Sequence, residues 1–156
     1  AAYFDKKVLG DVDEEKFFAA IPDLRKKFSG RAVLRAIHFF EENRRVKQTE
    51  KAILNGDKAA FLKNITESGL SSYMLLQNCY PAGDVNQPVS LALAIAARHK
   101  DTLACRVHGG GFAGTILTFV DTVNSVSYVE EMANVFGKEN VFCIKIRKLG
   151  ATEIEL

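Results

Sequence analysis

The sequence lacks most features that would place a chain of 156 residues in a specialised class. Its three cysteines, Cys79, Cys105 and Cys143, are odd in number, widely spaced and free of any Cys-x-x-Cys pair. That pattern argues against a disulfide framework or a zinc site and favours a reducing compartment, the cytoplasm. No run of lysine and arginine exceeds three, and 21 basic side chains stand against 19 acidic ones. The electrostatic footprint of a nucleic-acid partner is therefore missing. No apolar stretch approaches the ~20 residues of a membrane span, and no signal-like segment opens the chain. With only three histidines, no metal-spaced pair and no serine–histidine–carboxylate set can be assembled. No metal ligand and no catalytic residue is expected in this chain.

What remains is an ordinary globular composition, 47% hydrophobic and 26% charged. A domain of this size buries roughly 70% of the surface of its extended chain, enough for one core, so residues 1–156 are expected to form a single domain. The chain begins with Ala1 rather than methionine, which is read as a cut site or a processed end.

Local signals give an order of elements. Asp11, Asp13, Glu14 and Glu15 favour a helix start through the helix dipole, and Pro22 opens a second short helix. Helical spacing of Val33, Ile37 and Phe40, and of Leu34, Val46 and Ile53, predicts a helix over 31–54, stopped by Asn55-Gly56. Asp57 caps a helix from 58 to about 67 that ends at Ser68-Gly69. Residues 78–88 are rich in turn formers, and Pro88 suits the first turn of a buried helix over 89–99. Then come strands at 103–107 and 115–120, a helix over 124–136 stopped by Gly137, and strands at 141–147 and 152–156. The order implies an α+β fold, a mainly antiparallel four-stranded sheet with helices on one face. The densest basic patch, Arg25, Lys26, Lys27, Arg31 and Arg35, reads as a solvated helix face.

The most informative stretch is Cys105-Arg-Val-His-Gly-Gly-Gly-Phe-Ala-Gly-Thr115. Gly109, Gly111 and Gly114 satisfy G-x-G-x-x-G, but that fingerprint needs a helix after the third glycine. Here the β-branched 115–120 run follows, so the dinucleotide reading fails. A phosphate loop of the G-x-x-x-x-G-K-[ST] type fails because no lysine follows Gly114. The short connection favours an antiparallel hairpin, whose turn needs about two glycines. Four glycines in six residues cost roughly 0.5–1 kcal/mol each relative to alanine. Close approach of the backbone to a ligand accounts for that cost better than a bare turn does.

The stretch Arg106-Val-His-Gly-Gly-Gly-Phe-Ala-Gly-Thr115 resembles the third motif of the GHMP kinases in the form galactokinases carry, Arg-Met-Thr-Gly-Gly-Gly-Phe-Gly-Gly-Cys. Arg106, Gly109, Gly110, Gly111, Phe112 and Gly114 match; His108, Ala113 and Thr115 depart. Arg35-Ala-Ile-His38 with Glu42-Asn-Arg-Arg45 is similar to the galactokinase Arg-x-x-His helix. Asn55-Gly-Asp-Lys-Ala-Ala-Phe61 resembles the family's Gly-Asp-x-x-x-Phe step. Glu67-Ser-Gly-Leu-Ser-Ser72 resembles Glu-Ser-His-x-Ser-Leu, with Gly69 in place of histidine. The stretch 73–81 stands where the family has an acidic, tyrosine-containing segment before Ser-Cys-Pro. The likeness runs from Val12 onward.

The resemblance implies a ferredoxin-like fold of the GHMP kinase C-terminal type. It implies part of a galactokinase, which phosphorylates galactose at its anomeric hydroxyl with Mg-ATP. The N-terminal kinase domain, which holds most of the Mg-ATP and sugar contacts, would be the partner. Gly109, Gly110, Gly111, Phe112 and Gly114 would form the phosphate-region loop, with Arg106 and His108 in support. The chain alone would be inactive, and its exposed interdomain face could drive dimerisation. Two other readings stand beside it: a free-standing module that binds a small anionic ligand, and a non-catalytic galactose sensor. His38, His99, Asp84 and Asp121 are read as structural, and the three cysteines as buried small apolar residues.

Overall fold

The computed structural model describes residues 1–112 and 114–146. Among them run α1 (Glu14–Ala19), α2 (Ile21–Lys27), α3 (Gly30–Leu54), α4 (Lys58–Ser71), a π-helical turn (Ser72–Leu76) and α5 (Pro88–Arg98). A hairpin of β1 (Thr102–Val107) and β2 (Ile116–Val120) follows, then α6 (Ser125–Phe136). The architecture is α+β.

Helix starts follow their caps. Lys16 N donates to Asp13 Oδ1 at 2.9 Å, Ala32 N to Ser29 Oγ at 3.3 Å and Ala60 N to Asp57 Oδ1 at 2.9 Å. Each cap satisfies one of the amides that a helix N-terminus leaves without a partner. Pro22 and Pro88 sit in first turns, where no intrahelical donor is needed. The N-terminal helices bury Phe17, Leu24 and Val12 against Val33 and Phe40 of α3, with the Phe17 and Phe40 rings 4.8 Å apart.

β1 and β2 are antiparallel, with Ala104 opposite Phe119, Arg106 opposite Leu117 and Val107 opposite Ile116. Alternate side chains point to opposite faces, and both faces carry helices. Cys105, Ile116 and Val120 pack with Ala96 of α5 and with Tyr128 and Met132 of α6. On the other face Phe61 of α4 meets Phe119 edge to face at 5.4 Å. The expectation of helices on one face is thus corrected.

α4 also runs past its expected end. Gly69 lies inside the helix, and a Cβ there would come within 2.8 Å of Cys105 O and 3.0 Å of Arg106 Cβ. Its missing side chain lets α4 press directly on β1, and the helix stops two residues later. The sheet has two strands among the described residues. The stretch 141–146, expected as a strand, has no ladder partner there, and Phe142, Ile144 and Ile146 are exposed. Alternation marks which side chains share a face but does not by itself pair a strand. The last expected strand, 152–156, lies outside the described residues.

Candidate functional site

The glycine cluster forms the tip of the β1–β2 hairpin. His108 N donates to Thr115 O at 2.9 Å and closes the ladder. Beyond it Gly109, Gly111 and Gly114 hold φ of +62°, +74° and +84°. Phe112 joins them at +35°, a conformation costly for a residue with a Cβ, and its ring is half exposed. Backbone that alternates hand in this way forms a concave run of amides suited to anions.

The hydrogen bonding supports that reading. Phe112 N donates to Asn78 O at 2.9 Å. Among the described residues, the amides of Gly109, Gly110 and Gly111 donate to nothing. Gly110 has an ordinary φ, and among the described residues a Cβ there would meet nothing within 4 Å. No packing among those residues calls for glycine at 110; an approaching ligand would.

Sequence reasoning missed Asn78, which lies in the stretch read only as a turn-rich loop. It is 3% exposed and lies directly under Gly111. A π-helical turn leads into it, and such turns recur at functional sites. Gln77 ends that turn at φ +59° and donates its N–H to Ser72 O at 2.8 Å. Arg35 stays exposed, on the solvated face read from the sequence, and its Nε donates to Leu76 O at 3.3 Å, so it also braces the turn. Cys79, 1% exposed, packs with Val89 and Val107 and fixes the chain on the far side.

Arg106 and His108 do not converge on the glycines through any described side-chain bond. Arg106 faces α4, with Cβ against Gly69, and its Nε donates to Val107 O at 3.0 Å. His108 is exposed at the loop's shoulder.

Behind Arg106 a polar seam joins α3 to α4. Arg45 pairs with Glu42, and Ser68 Oγ donates to Glu42 Oε2 at 2.6 Å. His38 Nδ1 lies 2.9 Å from Ser71 Oγ, and burial, opposed by Glu42, holds the His38 pKa below its usual 6.5. The seam borders a groove of about 410 Å³ lined by Val46, Ile53, Ile65, Arg45 and Arg106.

The remaining candidates have structural partners. His99 ends α5, accepts from Asp101 N at 3.2 Å and lies edge-on to Tyr128. Asp84 and Asp121 accept from Asn86 N and Val123 N, two residues on. Burial raises the thiol pKa of Cys79 and Cys105, while Cys143 is exposed and departs from the expectation of three buried cysteines. Among the described residues no cluster of His, Cys, Asp or Glu could hold a metal ion, and no helix is long and apolar enough to cross a membrane.

No family model matches the chain. Over 100 residues, 62% of its length, it is 35% identical to a galacturonokinase of Arabidopsis thaliana, of which it spans 22%. The crystal structure of Lactococcus lactis galactokinase complexed with galactose aligns with 88% of this chain and 33% of that chain, at a TM-score of 0.69 and 22% identity. The chain thus spans between about a fifth and a third of the proteins it matches. The fold matches that of part of the Lactococcus lactis galactokinase, and the sequence likeness over 100 residues is to the galacturonokinase.

Proposed function

We propose that residues 1–156 are the C-terminal domain of a GHMP sugar kinase of galactokinase type. The intact protein would transfer the γ-phosphoryl group of Mg-ATP to the anomeric hydroxyl of galactose, in the cytoplasm. Loop 109–114 would line the phosphate side of the cleft. One observation carries this reading: three glycine amides at a hairpin tip, with no partner among the described residues. Phosphoryl transfer is mainly a matter of placing such donors around spread negative charge. The residues present fit the phosphate oxygens of Mg-ATP, and the metal and a catalytic base would come from the N-terminal kinase domain. That division makes the chain inactive by itself. Exposed Val46, Ile53 and Leu54 on α3 suit a face that meets the other domain, or a second copy in its absence. The four-stranded sheet belongs to the same proposal, with the hairpin supplying two of its strands.

A coupled ADP-release assay tests the proposal on the longest natural protein that contains this chain. Galactose-dependent turnover is expected. Turnover with galacturonate alone would move the assignment to the sugar acid that the Arabidopsis relative's name specifies. No turnover with either sugar would favour the sensor or ligand-binding module over the kinase.

A further inference from the structure

We propose that Asn78 is part of the anion site, its carboxamide adding a side-chain donor to the amides of Gly109, Gly110 and Gly111, which have no partner among the described residues. The inference rests on the phosphate-loop reading above and adds a residue from a second segment of the chain. Three observations carry it.

The first is contact. A Cβ on Gly111 would overlap Asn78 O and come within 2.7 Å of Asn78 Nδ2 and 2.8 Å of Cγ. Backbone and carboxamide of Asn78 therefore both lie against the loop. The second is an unspent hydrogen bond. Asn78 is 3% exposed, and its buried Oδ1 has no partner among the described residues. An unpaired buried polar group forfeits hydrogen bonds that water would supply. A leucine of similar size would avoid that loss at this site; Oδ1 is an acceptor that a phosphate oxygen cannot satisfy, so the proposed role requires the NH₂ end in its place. A half-turn of the side chain exchanges oxygen and NH₂, so the donor end can face either side. The third is fixation. Ser72 O and Arg35 hold the π-helical turn before Asn78, and the Cys79 contacts hold the chain after it. A donor held in this way loses little freedom when it binds, which favours a site of fixed geometry.

The ligand chemistry is a polyphosphate oxygen. A neutral carboxamide can donate to it without adding charge, whereas a carboxylate in the same place would repel it. The test is a titration of the ¹⁵N-labelled chain with inorganic tripolyphosphate, followed by NMR. In the unsubstituted chain the amides of Gly109, Gly110 and Gly111 and the Asn78 side-chain NH₂ should shift with one midpoint. Asn78→Asp should weaken binding by about tenfold or more, and Asn78→Leu by about threefold, from one lost donor bond. Ligand-free spectra should show both variants folded. If the glycine amides respond but the Asn78 NH₂ does not, and Asn78→Asp binds like the parent, the role of Asn78 is overturned and the loop reading stands. If no loop amide moves, both fall together. The NH₂ readout needs no substitution, so a variant that fails to fold does not decide the question.

Discussion

Gly111 has no room for a side chain because Asn78 already occupies that volume. A Cβ at 111 would lie 2.8 Å from Asn78 Cγ, and Phe112, one residue on, gives its N–H to Asn78 O. The hairpin tip is thus seated on a residue more than thirty positions earlier in the chain. Gly110, its neighbour, has open space around it among the described residues.

That contrast predicts two different phenotypes. Gly111→Ala should destabilise the fold by about 1–3 kcal/mol, from a strained positive φ and from overpacking. Gly110→Ala should leave stability within about 0.5 kcal/mol of the parent, as exposed substitutions do. It should nonetheless weaken polyphosphate binding, because its methyl group occupies the ligand's side of the loop. Urea unfolding and a tripolyphosphate titration on both variants separate the two effects; equal binding by Gly110→Ala and the parent would remove that amide from the site.

Gly69→Ala should cost about 1–3 kcal/mol. The added methyl would meet the carbonyl of Cys105 at 2.8 Å and the Arg106 Cβ at 3.0 Å, and the backbone carbonyl cannot step aside. An unchanged urea midpoint would show that α4 can lift from β1 freely.

Acid should weaken the α3–α4 seam through His38. Its pKa is lowered in the folded chain, mainly by burial, so near and below pH 6.5 the unfolded chain binds more protons. Stability therefore rises with pH up to about 6.5 and levels off above it. The loss on acidification should be smaller in His38→Gln, whose amide can still meet Ser71. Unfolding midpoints between pH 5.5 and 8 read this directly, and an identical pH dependence in the two proteins would count against it.

Tyr128→Phe should cost about 1 kcal/mol. The phenolic O–H donates to Thr118 Oγ1 at 2.8 Å and is the polar tie between α6 and β2. A Tyr128→Phe, Thr118→Val double-mutant cycle would isolate the bond, and a coupling near zero would assign the tyrosine's value to packing alone.

The sequence is most legible where signals are local. Asp13, Asp57, Pro22 and Pro88 announce helix starts because capping and missing donors act within one turn. The glycine cluster is legible for the same reason, since φ near +70° nearly demands glycine. Legibility fails where a distant contact decides. Gly69 carries the local chemistry of a helix stop, but it is a packing notch that only the position of β1 explains. Asn78 sits among turn formers, and nothing in its neighbours separates a turn asparagine from one buried under a loop. Phe112 at φ +35° has no sequence signal at all. Arg35 reads as one of a basic group on a helix face, and only the fold shows it bracing Leu76 O. The stretch 141–146 alternates as a strand does, yet pairing depends on an edge that alternation cannot specify.

The most direct test of the central claim compares ADP release from two proteins in the presence of Mg-ATP and galactose. One is the 156-residue chain alone; the other is the longest natural protein that contains it, with and without Gly110→Ala. No turnover is expected from the chain, galactose-dependent turnover from the longer protein, and at least a tenfold fall (about 1.4 kcal/mol) in its kcat/KM on substitution. Robust turnover by the chain alone, or a Gly110→Ala enzyme as active as its parent, would contradict the proposed function.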